Sequence, residues 1–78
     1  MPLKALVVAV AGELVDDPAQ VSVTEIAGDQ NTLFELRVAK TDLGKVIGRE
    51  GRTAQAMRTV LSAASAKLGT RAHLEIID

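Results

Sequence analysis

Two glycines three residues apart stand in the run Val46-Ile47-Gly48-Arg49-Glu50-Gly51-Arg52, with one arginine between them and another directly after. This layout suits a clamp of bare main chain for phosphates. Without side chains, Gly48 and Gly51 let the backbone turn sharply and approach another molecule closely. A helix beginning near Arg52 would point its unpaired N–H groups the same way. The natural ligand for such a bend is an RNA or DNA backbone. The charge around it agrees: between residues 40 and 58 lie Lys40, Lys45, Arg49, Arg52 and Arg58 against Asp42 and Glu50, a local excess of three positive charges. Such an uneven distribution outweighs a formal net charge of −1 over the whole chain as a guide to the binding surface.

Other chemistries find little support. His73 is the only histidine and has no second ligand near it in sequence, so neither a metal site nor a catalytic base is expected. Asp16 and Asp17 precede Pro18 and read as loop-forming residues, not as an acid/base pair. Ser62 and Ser65 have no base beside them in sequence. The glycine segment is followed by no Lys-Ser/Thr of a P-loop and contains no G-x-G-x-x-G of a dinucleotide site. With no cysteine, disulfides and thiolate chemistry are excluded. The expectation is a binder and not an enzyme, with no catalytic residues, metal, cofactor or small-molecule substrate.

Seventy-eight residues make one domain, with 47% apolar and 24% charged residues, the composition of a globular chain. A domain of this size buries only about 60% of the surface its unfolded chain exposes, so its stability is modest. Phe34 is the sole aromatic, which rules out the stacking platform many single-strand binders use and leaves an aliphatic and electrostatic grip. Residues 5–36 hold Glu13, Asp16, Asp17, Glu25, Asp29 and Glu35 and no Lys or Arg. The apolar stretch Leu3 to Val15 is too short to span a bilayer and is closed by acidic residues. A cytoplasmic chain without signal peptide or membrane anchor is expected.

The elements that must carry the glycine turn follow from periodicity. Pro2 suits a first helical position, and Leu3, Leu6, Val7, Val10 and Leu14 recur at three and four, predicting a helix that Asp16-Asp17-Pro18 ends. Val21 and Val23 alternate with Ser22 and Thr24 up to Ile26, predicting a strand, and Gly28-Asp29-Gln30-Asn31 a turn. A second strand is predicted over Leu33 to Ala39, with Phe34, Leu36 and Val38 on one face. Thr41 is read as the N-cap of a short helix that buries Leu43, Val46 and Ile47 and stops at Gly48. A longer helix restarts after Gly51. Its inward stripe is Met57, Val60, Leu61, Ala64 and Leu68, its outward residues are Arg52, Gln55, Arg58, Thr59 and Ser62, and Gly69 stands at its C′ position. Arg71 to Ile77 is the last strand. Strands two and three flank two helices, so they are expected to be parallel neighbours joined by a right-handed crossover.

These residues resemble the KH domain, whose Val/Ile-Ile-Gly-x-x-Gly signature stands here as Val46-Ile47-Gly48-Arg49-Glu50-Gly51. The order resembles the type II arrangement. The resemblance implies an α+β fold of order α-β-β-α-α-β, a three-stranded mixed sheet covered on one face by three helices. It covers residues 1–78 as a single KH domain with its G-x-x-G loop at 48–51. In length and in the segment Asp42 to Thr53 the chain is similar to small bacterial stand-alone KH proteins. That implies single-stranded RNA as ligand, gripped weakly and with little sequence preference. It also implies a post-transcriptional regulator or RNA chaperone in the cytoplasm, acting as a homodimer or paired with a larger KH-containing protein.

Carried over by position, Gly48 and Gly51 permit close contact while Arg49, Arg52 and Lys45 neutralise phosphates, and Glu50 occupies a loop position that is often basic or polar in the family. Gly44, Val46, Ile47 and Ala54 shape the groove or the core behind it. Met57, Val60, Leu61 and Ala64 are the expected dimer contact, Val60 the most exposed. The rival expectation is a protein-interaction module that keeps the KH shape for pairing, with RNA contact incidental.

Overall fold

A computed structural model describes residues 3–78 of the chain; the expected role of Pro2 lies outside them. The elements are α1 (Leu3–Leu14), β1 (Ser22–Ala27), β2 (Asn31–Arg37), α2 (Leu43–Ile47), α3 (Arg52–Lys67) and β3 (Arg71–Ile77). This is the anticipated α-β-β-α-α-β order, with 3₁₀ turns at Pro18–Gln20, Lys40–Asp42 and Arg49–Gly51. The sheet runs β1-β2-β3, β1 antiparallel and β3 parallel to β2. The antiparallel β1–β2 hairpin and the parallel pairing of β2 with β3 are therefore as expected. α1 packs on β1, α3 packs on β3 and on α1, and α2 rests on α3.

The core is aliphatic around one ring. Phe34, Leu36 and Leu61 are fully buried, with Val7, Ala11, Val23, Val46, Met57 and Leu74 around them. Each large apolar side chain taken wholly from water contributes about 1.5–3 kcal/mol. α1 turns Val7 and Ala11 inward, with Leu3, Val10 and Leu14 at the rim. It closes on the Val15 N–H bond to the Ala11 carbonyl at 3.2 Å, after which Pro18 opens a 3₁₀ turn.

Four details depart from the sequence reading. β2 starts and stops two residues early, because Asn31 and Thr32 pair with Arg71 and Ala72 while the Ala39 carbonyl takes the Asp42 N–H at 2.8 Å and bends the chain. Thr41 lies inside that 3₁₀ turn and caps nothing; Asp42 precedes α2, and its carboxylate is used elsewhere. Ile47 is 38% exposed, so α2 buries Val46 and shows Ile47 to solvent. On α3 the buried seam is Ala54, Met57, Leu61 and Ser65, whereas Val60 and Leu68 are 50% and 55% exposed. Val60 is left facing the open cleft between α3 and α1, and Leu68 lies past the last residue of α3. Arg52, Gln55, Arg58, Thr59 and Ser62 face solvent as read, and Gly69 ends α3 at φ +74° with its N–H on the Ala66 carbonyl at 3.1 Å.

Candidate nucleic-acid interface

The glycine turn is built by three consecutive backbone constraints. Gly48 closes α2 by donating its N–H to the Gly44 carbonyl at 2.9 Å, then leaves at φ 76°, ψ 173°. A β-carbon there would lie 2.8 Å from the Thr53 backbone nitrogen, so the position needs glycine for its φ and for the space. Gly51 returns its N–H to the Gly48 carbonyl at 3.1 Å and is itself left-handed, at φ 74°, ψ 12°. Between them Glu50 is held at φ 58°, the sole non-glycine positive φ among the described residues and a strained one. A β-carbon on Gly51 or on Gly44 would meet nothing within 4 Å. Both glycines thus leave free approach on the outer side of the main chain.

Directly after the turn, α3 begins at Arg52 with Gly51 as its cap and no side chain bonded to its first N–H groups. Sixteen aligned residues give this end the partial positive charge of a helix dipole. Arg49 is exposed and makes no ion pair among the described residues. Arg52 lies 3.9 Å from Glu50, with both side chains mostly in water, an interaction of little strength.

Lys45 is differently placed. Its ammonium stands 3.2 Å from Asp16 and 3.6 Å from Asp42, and these carboxylates, Asp16 foremost, raise its pKa above 10.5. Asp42 is only 1% exposed and accepts the N–H groups of Asp16 at 3.2 Å and Asp17 at 3.0 Å. Burial pushes its carboxyl upward, but the two backbone donors and Lys45 together outweigh that and hold it below its ordinary 3.8. One carboxylate therefore ties the end of α1 to the start of α2. Its role was invisible in the sequence, since its main partners are backbone groups 25 and 26 residues away.

An open cleft of about 830 Å³ runs between α3 and β3, its α3 wall beginning at Gln55, three residues after Arg52. Gln55, Thr59 and Ser62 continue the face of Arg52 along one wall, and Thr70, Arg71 and His73 line the other. Arg58 crosses it, donating its Nε–H to the Leu74 carbonyl at 3.3 Å. Arg71 and Thr70 were not singled out from the sequence. The available signal was Gly69, which turns the chain back alongside α3 and so must bring the first residues of β3 opposite Thr59 and Ser62.

Of the groove-shaping set, Val46 and Ala54 are core, while Gly44 and Ile47 are exposed beside the turn. Of the expected dimer contacts, Met57 and Leu61 are buried, Ala64 is half-buried and Val60 is exposed. Val60 lines an apolar cleft of about 220 Å³ between α1 and α3, together with Leu6, Val10, Leu14 and Ala56. No cluster of three His, Cys, Asp or Glu side chains able to hold a metal occurs among the described residues. No helix among them is long and apolar enough to cross a membrane.

Known proteins resemble this chain over nearly its whole length. The family model described as KhpA/KhpB, KH domain matches residues 4–76. The RNA-binding protein KhpA of Aquifex aeolicus is 50% identical over 76 residues, 97% of this chain and 96% of that protein. The protein of the same name from Clostridium acetobutylicum is 48% identical over 75 residues, covering 96% of this chain and 100% of its own. That from Caldanaerobacter subterraneus is 51% identical over 72 residues, 92% of this chain and 96% of its own. The shared name is that of a binding protein and not of an enzyme. No solved structure matches the chain. With the glycine turn, the type II order of elements and these relatives in register over nearly its full length, the chain belongs to the KhpA/KhpB family of KH domains.

Proposed function

We propose that this chain binds single-stranded RNA by its backbone, gripping it at the Gly48–Gly51 turn and leading it along the cleft between α3 and β3. The observation that carries this reading is the turn itself: bare main chain at Gly48 and Gly51, an Arg49 guanidinium with no ion pair among the described residues, and a helix start that no side chain caps, all in one place. RNA is favoured over DNA because the relatives are named as RNA-binding proteins. Arg49 and Arg52 are the phosphate contacts, with Arg58 and Arg71 further along the cleft. Lys45 is occupied by two carboxylates and serves mainly to hold α2 in place.

With two to four arginines engaged and no aromatic to stack on, binding is weak, poorly sequence-selective and salt-sensitive. The logarithm of affinity should fall with the logarithm of salt at about −0.7 per phosphate neutralised. Pairing of two such sites would raise avidity without new contacts. Val60 and the apolar cleft beside it are the surface for that pairing, either with a second copy or with a larger protein carrying a KH domain. The matching family description joins two names, KhpA and KhpB, which favours a partner of the same fold. The cellular role of such a binder is post-transcriptional regulation or RNA chaperoning in the cytoplasm.

The test replaces both loop residues, Arg49→Asp and Glu50→Asp, and measures melting and capture of a single-stranded RNA. Lost capture with unchanged folding supports the clamp. Intact capture with unchanged folding favours the rival, a protein-interaction module in which RNA contact is incidental.

A further inference from the structure

The sheet has two edges, and they are finished differently. At β3 the Arg58 guanidinium occupies the Leu74 carbonyl at 3.3 Å and sets a bulky cation beside the strand, a common guard against strand addition. β1 is the opposite edge. The Gly28 N–H bond to the Asn31 carbonyl at 2.7 Å sets the phase of the antiparallel ladder. Alternation then turns the N–H and C=O groups of Val23, Glu25 and Ala27 away from β2. None of these groups bonds to another segment among the described residues. β1 has no proline, no lysine and no bulge over its six paired positions, so the usual devices that blunt an edge are missing.

Two side-chain features say what kind of strand would fit. On the face of the sheet away from the helices, Ile26 is 49% exposed beside its cross-strand partner Leu33, a place for an aliphatic or β-branched residue of an added strand. On β1 and in the turn after it the charge is of one sign, the nearest cation being Arg37 opposite Ser22, 3.8 Å from Glu35. Glu25 is the only charged residue on β1, Asp29 sits in the turn that follows it, and residues 5–36 contain six acidic residues and no Lys or Arg. A phosphate backbone is repelled there and a cationic peptide attracted. An antiparallel pairing of two copies centred on Glu25 would set the two Glu25 carboxylates directly opposite each other, so self-pairing in that register is opposed by like charge.

We propose that the free edge of β1 is a docking site for an extended, Lys/Arg-rich strand of a partner protein, added to the sheet by main-chain hydrogen bonds. The chain would then have two poles of opposite charge, a basic turn for a nucleic-acid strand and an acidic edge for a basic polypeptide.

The test uses the full chain with ¹⁵N-labelled amides and a short synthetic peptide alternating Lys or Arg with Val or Ile. The amides of Val23, Glu25 and Ala27 should exchange quickly in the free chain, whereas those of Ser22, Thr24 and Ile26 are protected. Addition of the peptide should shift and protect the first three. Glu25→Lys and Ala27→Pro should each weaken peptide binding about tenfold or more while leaving melting and RNA capture unchanged. The proposal is overturned if the basic peptide leaves the three amides unmoved, or if an acidic peptide of the same pattern binds equally well. It is overturned equally if those amides are already protected in the free chain. Protection that rises with protein concentration alone would mean self-pairing and would also refute it.

Discussion

The main chain of Gly48 passes so close to Thr53 that a β-carbon at position 48 would lie 2.8 Å from the Thr53 amide nitrogen, whereas one at Gly51 would meet nothing within 4 Å. The two glycines of the turn therefore differ in kind. Gly48 fits the turn to α3, and Gly51 leaves room outside it.

That difference separates their alanine variants. Gly48→Ala adds a backbone clash to a left-handed strain and should cost about 2 kcal/mol or more. Gly51→Ala carries only the left-handed strain, about 1 kcal/mol, yet places its methyl where a phosphate strand would lie. Thermal melting should rank Gly48→Ala as the less stable of the two. RNA capture by Gly51→Ala should fall well beyond what its small loss of folding explains. Equal melting of the two variants would contradict the geometry.

Glu50 holds a positive φ that suits asparagine better, and its carboxylate stands beside Arg52. Glu50→Asn should raise stability by about 0.5 kcal/mol through relief of the backbone. It should also tighten RNA binding and steepen its salt dependence by up to about 0.7 on the logarithmic scale, because Arg52 then faces phosphate without a competing anion. Titration at several salt concentrations measures both.

Asp42 links the ends of α1 and α2 with a carboxyl held below 3.8 in the folded chain. A lowered carboxyl stabilises fully above its unfolded value, and that stability is lost as pH falls through the folded one. Melting temperature should thus drop on acidification below about pH 4, and Asp42→Asn should melt lower at neutral pH with a flatter acid limb. Lys45, raised above 10.5, stabilises below its ordinary value and loses that contribution only as pH climbs past the raised one. Parallel acid limbs for the two proteins would show that Asp42 is not the group concerned.

Val60 is half exposed on α3, so Val60→Asp should fold with a change in stability within about 0.5 kcal/mol. Sedimentation is expected to report a dimer for the native chain and a monomer for this variant. A dimer that persists in the variant would move the interface away from this cleft.

How far the fold could be read from the chain depended on how local each cause was. The stripe Leu3, Val7, Val10 and Leu14, the alternation around Val23, and Gly69 after a helical run are local signals, and each element they announced is present. Val60 and Leu68 of the inward stripe are exposed, because periodicity gives the apolar face of a helix but not how much of it its neighbours cover, whereas Val60 is, as expected, the most exposed of Met57, Val60, Leu61 and Ala64. β2 shifted by two residues because its limits are set by its neighbours, Ala27 and Arg71 at one end and the Ala39 to Asp42 turn at the other. Within the candidate site, Gly48, Arg49, Gly51 and Arg52 are adjacent in sequence and were legible together. The Asp42 clamp and the far wall at Thr70 and Arg71 join segments distant along the chain, and no local pattern encodes them.

The backbone from Gly48 to Arg52 is proposed to receive a single-stranded RNA. Amide resonances of the labelled chain, followed during titration with a short single-stranded RNA at low salt, test it most directly. The signals of Gly48, Arg49, Glu50, Gly51 and Arg52 should move first and furthest, with those of Gln55, Thr59 and Arg71 following, and added salt should reverse the shifts. Signals in that segment that stay in place at saturating RNA, in a chain that remains folded, would contradict it.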